Sequence, residues 1–115
     1  MRLRQVLASK IHRATVTEAD INYIGSITID TDLLEKVDMI PGELVHVWNV
    51  SNGERLITYA IAGPRGTGTV CINGPAALRC EVGHKVIVAA FVLTDGPVDP
   101  KVALVDEENR FVRFA

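Results

Sequence analysis

The sequence predicts a small, mainly β protein: a β-barrel of short strands with a few helical turns. Three observations carry this. Valine and isoleucine are abundant along the whole chain, and β-branched side chains suit pleated strands better than helices. Apolar runs are short and are cut by turn pairs, among them Pro41-Gly42, Asn52-Gly53, Gly96-Pro97 and Asp99-Pro100. The 115 residues suffice for one domain with one core, and 48% of them are hydrophobic.

The elements follow in order. Leu3 to Thr17 mixes apolar and basic residues; its start is compatible with a helix, while Ala14-Thr15-Val16-Thr17 reads as strand. Ile27-Thr28-Ile29-Asp30 alternates cleanly and is a strand. Asp30 or Thr31 then caps a short helix, Asp32 to Val37, with Glu35 placed for a capping box, and Pro41-Gly42 turns the chain. Leu44 to Val50 and Leu56 to Ile61 form a hairpin around Asn52-Gly53, a pair that tolerates the positive φ of a tight turn. Ala62 to Gly68 is a glycine-rich loop, Thr69 to Asn73 a short strand, and Gly74 to Leu78 one helical turn with proline at its start. Lys85 to Thr94 is almost continuously apolar and reads as a strand buried on both faces. Val102 to Val105 and Phe111 to Phe114 are short strands around an acidic loop. The total is about seven strands and two short helices. Strands this apolar on so small a domain imply that some faces are buried between subunits.

Composition narrows the function. The chain has 12 Lys+Arg against 14 Asp+Glu, a net charge of −2. No basic surplus is available to grip a phosphate backbone, so nucleic acid is not the expected partner. No apolar run is long enough to span a membrane, and the basic start is not followed by a signal-peptide core, so a cytoplasmic location is expected. Cys71 and Cys80 lack C-x-x-C spacing and read as reduced, small hydrophobes. His12, His46 and His84 are dispersed and lack metal-ligand spacing, so no metal site is expected and each reads as structural. There is no G-x-S-x-G, H-E-x-x-H, Walker A or G-x-G-x-x-G, and Gly63 to Gly68 reads as turn chemistry.

Gly25-Ser26 has two readings. As composition it is a common turn pair. As chemistry, the serine hydroxyl can attack the carbonyl carbon of the residue before it, and glycine there removes Cβ crowding. The resulting ester can eliminate to a dehydroalanine, which hydrolyses to a pyruvoyl group. Downstream, Arg55, Thr58 and Tyr59 fall on one expected strand. Arginine can clamp a carboxylate, threonine can donate to a developing oxyanion, and tyrosine can donate a proton. Alternation puts Arg55 and Tyr59 on one face and Thr58 on the other, so one atom meets all three only across a bulge or a pocket open on two sides. On their own these are equally an exposed arginine, a β-forming threonine and a core-edge tyrosine.

Seven blocks stand in a familiar order: Lys10-Ile11-His12-Arg13, Thr17-Glu18-Ala19-Asp20, Tyr23-Ile24-Gly25-Ser26, Val47-Trp48-Asn49-Val50, Asn52-Gly53-Glu54-Arg55, Thr58-Tyr59-Ala60-Ile61 and Asn73-Gly74-Pro75-Ala76-Ala77. In this the chain resembles the bacterial aspartate 1-decarboxylases from its N-terminus to about Leu93. The resemblance implies a double-psi β-barrel assembled as a homotetramer, one domain over residues 1–115. It implies self-cleavage between Gly25 and Ser26 into chains 1–25 and 26–115, with a pyruvoyl cofactor derived from Ser26. It further implies decarboxylation of L-aspartate to β-alanine and CO2 through a Schiff base, supplying pantothenate and coenzyme A synthesis.

The family's residues carry over here as Gly25, Ser26 and Thr58 for processing and Ser26 and Tyr59 for catalysis. Arg55, Lys10, Trp48, Asn73, Gly74, Ala76 and Ala77 carry over for substrate binding, with Lys10 coming from a neighbouring subunit. Pro75 fits the turn but has no N–H to offer substrate. A reading of another class is a non-catalytic small β-barrel that binds a small molecule or a protein. One intact chain under denaturing conditions would mark that class; two pieces would mark the enzyme.

Overall fold

The computed structural model describes residues 1–115. Nine strands are present: β1 (Arg4–Thr15), β2 (Glu18–Asp20), β3 (Ile27–Asp30), β4 (Leu44–Asn49), β5 (Arg55–Gly63), β6 (Val70–Asn73), β7 (Lys85–Thr94), β8 (Lys101–Val105) and β9 (Phe111–Phe114). Helix α1 (Thr31–Val37) follows β3, and a 3-10 turn (Gly74–Leu78) follows β6.

The strands run in the order β2-β6-β3-β5-β4-β7-β1-β8-β9. Only Val16 and Thr17 separate β1 from β2, and their amides donate to His84 O and Val70 O, each at 2.9 Å. One bent strand therefore pairs with β7 before the bend and with β6 after it. This closes the sheet into a six-position ring, leaving β8 and β9 as an extension beside β1. Within the ring β2 pairs with β6 and β3 with β5 in parallel, while the other ladders are antiparallel. The mainly β, small double-psi β-barrel with short helices is the architecture expected. Ile11, Val16, Ile27, Ile29, Val45, Val47, Val70, Ile72, Val86 and Val88 fill its interior, and α1 adds Leu33, Leu34 and Val37. Burying each such side chain contributes roughly 1.5–3 kcal/mol.

Local differences from the sequence reading have physical causes. Strand β1 begins at Arg4, so the helical alternative is not taken. Its register shifts between Leu7 and Ser9 and again between Ile11 and Ala14, where Arg13 adopts φ 61°. Each shift moves the apolar residues to the other face and erases a single period. Asp30 caps α1 by accepting from the Asp32 amide at 2.8 Å, but Glu35 does not complete a capping box. Its carboxylate turns to Arg65, 2.6 Å away, in the loop after β5. Strand β7 is buried as far as Ala90, but Phe91, Val92 and Leu93 are exposed. The β4 ladder on β7 ends at Ala89, so the far end keeps β1 alone as a neighbour. The hairpin forms as expected, with Trp48 opposite Arg55 across the Asn52-Gly53 turn.

Candidate active site

Ser26 sits at the mouth of the β3–β6 ladder. Ile27 pairs with Ile72, and one step outward the Asn73 amide donates to Ser26 O at 3.0 Å. The Asn73 side chain then donates from Nδ2 to Ser26 Oγ at 3.2 Å and to Thr28 Oγ1 at 3.0 Å. Ser26 is only 1% exposed and holds φ 96°, a left-handed value that a residue with a Cβ adopts at a cost of order 1–3 kcal/mol. Gly74 has φ 64°, and a Cβ there would lie 2.8 Å from both N and Cα of Gly25. Glycine at 74 thus lets bare backbone approach the Gly25–Ser26 segment. Ala76 and Ala77 follow in the 3-10 turn, half-buried against the core, with Pro75 at its start.

Strand β5 lies on the other side of β3. Ile27 pairs in parallel with Ala60, so Tyr59, just before Ala60, comes beside Ser26, just before Ile27. Tyr59 stands opposite Leu44 and is 41% exposed; Thr58 stands opposite the fully buried Val45. Arg55, Ile57 and Tyr59 face outward while Leu56, Thr58 and Ala60 turn inward. The β4–β5 ladder has no bulge, so Thr58 remains on the face opposite Arg55 and Tyr59. Arg55 places its guanidinium 4.8 Å from the centre of the Trp48 ring, a cation–π contact that orients its planar fork.

Lys10 does not join this group within one chain. It pairs with Ala89 on β7, three strand steps from β5, roughly 14 Å along the sheet. Burial, then the charges of Lys10 and Arg13, hold nearby His12 below its ordinary pKa. His46 packs between Trp48 and Phe91, with ring centroids 6.2 and 5.4 Å away. His84 accepts through Nδ1 from the Glu81 amide and sits 2.9 Å from the Asn49 amide nitrogen.

Four residues on the strands around Asn73 were not singled out for the site from the sequence. Glu18, Asp20, Thr28 and Cys71 join Asn73 and Tyr23 in lining a cleft of ≈ 370 Å³. The available signal was alternation: Glu18 and Asp20 flank Ala19, and Cys71 and Asn73 flank Ile72, so each pair points to one side of its strand. Both cysteines are free and buried. Burial, then the charges of Glu18 and Asp20, push the Cys71 thiol up to about 11, so it keeps its proton at neutral pH. Burial likewise raises Cys80.

The profile described as "Aspartate decarboxylase" matches residues 1–112. The chain belongs to the aspartate decarboxylase family. It is 50% identical to the aspartate 1-decarboxylase of Carboxydothermus hydrogenoformans, over 95% of this chain and 89% of that one. It is also 50% identical to that of Thermoanaerobacter pseudethanolicus, over 96% and 98%. The aspartate 1-decarboxylase of Desulfitobacterium hafniense is 53% identical, over 97% and 91%. Among solved structures, the computationally designed msDPBB_sym2 protein superposes with a TM-score of 0.44 at 18% identity, over 74% of this chain and 96% of that one. No helix is long and apolar enough to cross a membrane.

Proposed function

We propose that this chain is a self-processing lyase that converts L-aspartate to β-alanine and CO2, with a pyruvoyl group made from Ser26 as its cofactor. Family membership supports the reaction. The observation that carries the self-processing is Ser26 itself: buried, held at φ 96°, its hydroxyl hydrogen-bonded by Asn73, with bare Gly74 backbone against Gly25. These surroundings suit a small acyl group, since they combine a polar donor with a backbone cradle that a Cβ would fill.

The processing steps balance. Ser26 Oγ bonds to the Gly25 carbonyl carbon, the Gly25–Ser26 C–N bond breaks, and the hydroxyl proton passes to the freed nitrogen. Loss of the Ser26 Cα proton then breaks the Cβ–Oγ bond and releases Gly25 as a carboxylate. Water replaces the remaining nitrogen as ammonia and leaves a ketone. Relief of the strained dihedral favours the first step. Thr58, on the strand beside β3, donates to the oxyanion that forms on Gly25.

Once made, the pyruvoyl group supplies a ketone that captures an amine and a conjugated carbonyl that takes up the electron pair left by CO2. The chain's own residues do the rest. Arg55, steadied by Trp48, grips one substrate carboxylate with two parallel hydrogen bonds. Tyr59 returns a proton to the former α-carbon. Asn73 and the backbone of Gly74, Ala76 and Ala77 hold the substrate from the other side. Lys10 comes from a second copy in a homotetramer. Its distance from β5, and the exposed apolar row of Leu44, Ile57, Tyr59 and Phe91, support that assembly. The product serves pantothenate and coenzyme A synthesis.

Denaturing mass measurement with a product assay tests this reading. The expected result is two pieces, residues 1–25 and 26–115, together with CO2 and β-alanine from L-aspartate. A single chain of 12.5 kDa that releases no CO2 would leave the binding-module reading in its place.

A further inference from the structure

The polar residues around Ser26 form a block across three strands. Glu18 on β2 pairs with Cys71 on β6, and Cys71 pairs in turn with Thr28 on β3. Two residues along, Asp20 pairs with Asn73, whose amide donates to Ser26 O. Directly paired residues point to the same face, as do residues two apart on a strand. Asn73 therefore has Cys71, Thr28 and Ser26 around one side-chain amide, and it bonds to all three. Cys71 Sγ donates to Asn73 Oδ1 at 3.1 Å, while Nδ2 donates to Ser26 Oγ and Thr28 Oγ1.

A side-chain amide can turn over at little steric cost, because its oxygen and nitrogen are nearly the same size. Its partners decide which way it faces. Serine and threonine hydroxyls can donate or accept, so Ser26 and Thr28 alone accept either orientation. The Cys71 thiol is different: protonated, it offers a hydrogen, and its sulfur is a poor acceptor. It selects the amide oxygen and turns the NH2 toward Ser26. That orientation has a chemical consequence. With the NH2 on Oγ, the serine hydrogen is left available to move to the nitrogen of the breaking peptide. With the amide oxygen there instead, that hydrogen would be tied up.

We propose that Cys71 and Thr28 are positioning residues for self-cleavage: Cys71 selects the Asn73 orientation with its NH2 toward Ser26, and Thr28 accepts the other amide hydrogen and holds the side chain in place. The inference rests on the self-processing reading above. Neither residue touches the reacting atoms; each acts through Asn73.

The test follows chain splitting by denaturing mass from the moment of cell-free synthesis. It compares wild type with Cys71→Ala, Cys71→Ser, Thr28→Val and Thr28→Ser. Removing one hydrogen bond in the row slows splitting roughly fivefold in Cys71→Ala and in Thr28→Val. Serine at either position restores the polar group and brings the rate back to within about twofold of wild type. A packing role predicts otherwise, since serine is smaller than cysteine or threonine and would not rescue. Splitting at the wild-type rate in both Cys71→Ala and Thr28→Val overturns the inference while leaving self-processing intact. So does Cys71→Ser being as slow as Cys71→Ala. A wild-type chain that never splits overturns both readings together.

Discussion

The two ends of β3 each bury a polar residue and solve the problem differently. At one end Asp30, 2% exposed, accepts amide hydrogens from Asp32 at 2.8 Å, Gly66 at 3.0 Å and Gly68 at 2.8 Å. The loop that delivers two of those amides takes its positive dihedrals at glycines, φ 77° at Gly66 and 69° at Gly68. Arg110 donates to Gly66 O, and Arg65 ties the loop to Asp32 and Glu35. At the other end the positive dihedral falls on Ser26, a residue with a side chain, and a single amide holds its hydroxyl. Glycine takes up an unusual conformation without strain, whereas serine keeps the strain. The Asp30 end is free of that strain; the Ser26 end carries it.

That contrast predicts which property each substitution moves. Ser26→Ala produces the largest effect: a folded chain that never splits and releases no CO2 from aspartate. Activity near wild type in that variant would break the comparison at its centre. Thr58→Val keeps the β-branched shape and the fold but slows splitting about 100-fold, the scale of a lost oxyanion donor. A splitting rate equal to wild type would remove Thr58 from processing.

The opposite end should answer in stability instead. Asp30→Asn turns one accepting oxygen into a donor facing backbone N–H groups and costs about 2 kcal/mol in urea unfolding, while splitting proceeds at the wild-type rate. The pH dependence has a definite sign. Burial pushes the Asp30 carboxyl up, but the amides of Gly68, Asp32 and Gly66 and the charge of Arg110 outweigh it and hold it below its ordinary value of 3.8. Its contribution is therefore complete above that value and is lost as pH falls through the lower folded value. Urea midpoints measured down the acid limb should fall for wild type below about pH 4 and fall less for Asp30→Asn.

Arg55→Lys sharpens the comparison from outside β3: splitting is complete, but kcat/KM for aspartate drops roughly tenfold because a lysine cannot fix the carboxylate plane. Kinetics on the fully split variant decide it, and an unchanged value would leave Lys10 as the clamp. Arg65→Ala has the smallest effect. Its partners are exposed carboxylates, so the melting temperature barely moves.

The parts legible from sequence were the ones governed by neighbours along the chain. Alternation at Ile27-Thr28-Ile29, the Asn52-Gly53 hairpin and the proline-led turn at Gly74 all appear as read. Three-residue β2 shows a single alternation, too little to mark a strand on its own, and β1 hides its period behind two register shifts. The exposed end of β7 depends on where β4 stops, which no local pattern reports. For the site, the residues were named through family resemblance, since nothing local marks Asn73 as a partner of Ser26, 47 positions earlier. The face argument at Arg55, Thr58 and Tyr59 needed only strand alternation, and it holds.

The bent strand that closes the ring lies wholly within residues 1–25. A cut after Gly25 therefore severs no ladder: β1 stays paired with β7 and β8, β2 with β6, and Ile11, Ala14 and Val16 stay buried. What changes is the order of the folding reaction. Before the cut, the barrel forms from one molecule, at a rate independent of concentration. After it, a molecule melted apart must find its missing stave again, so recovery becomes bimolecular and fails on dilution. On the proposed self-processing, then, folding must come first and cutting second, because only the uncut chain folds as one molecule.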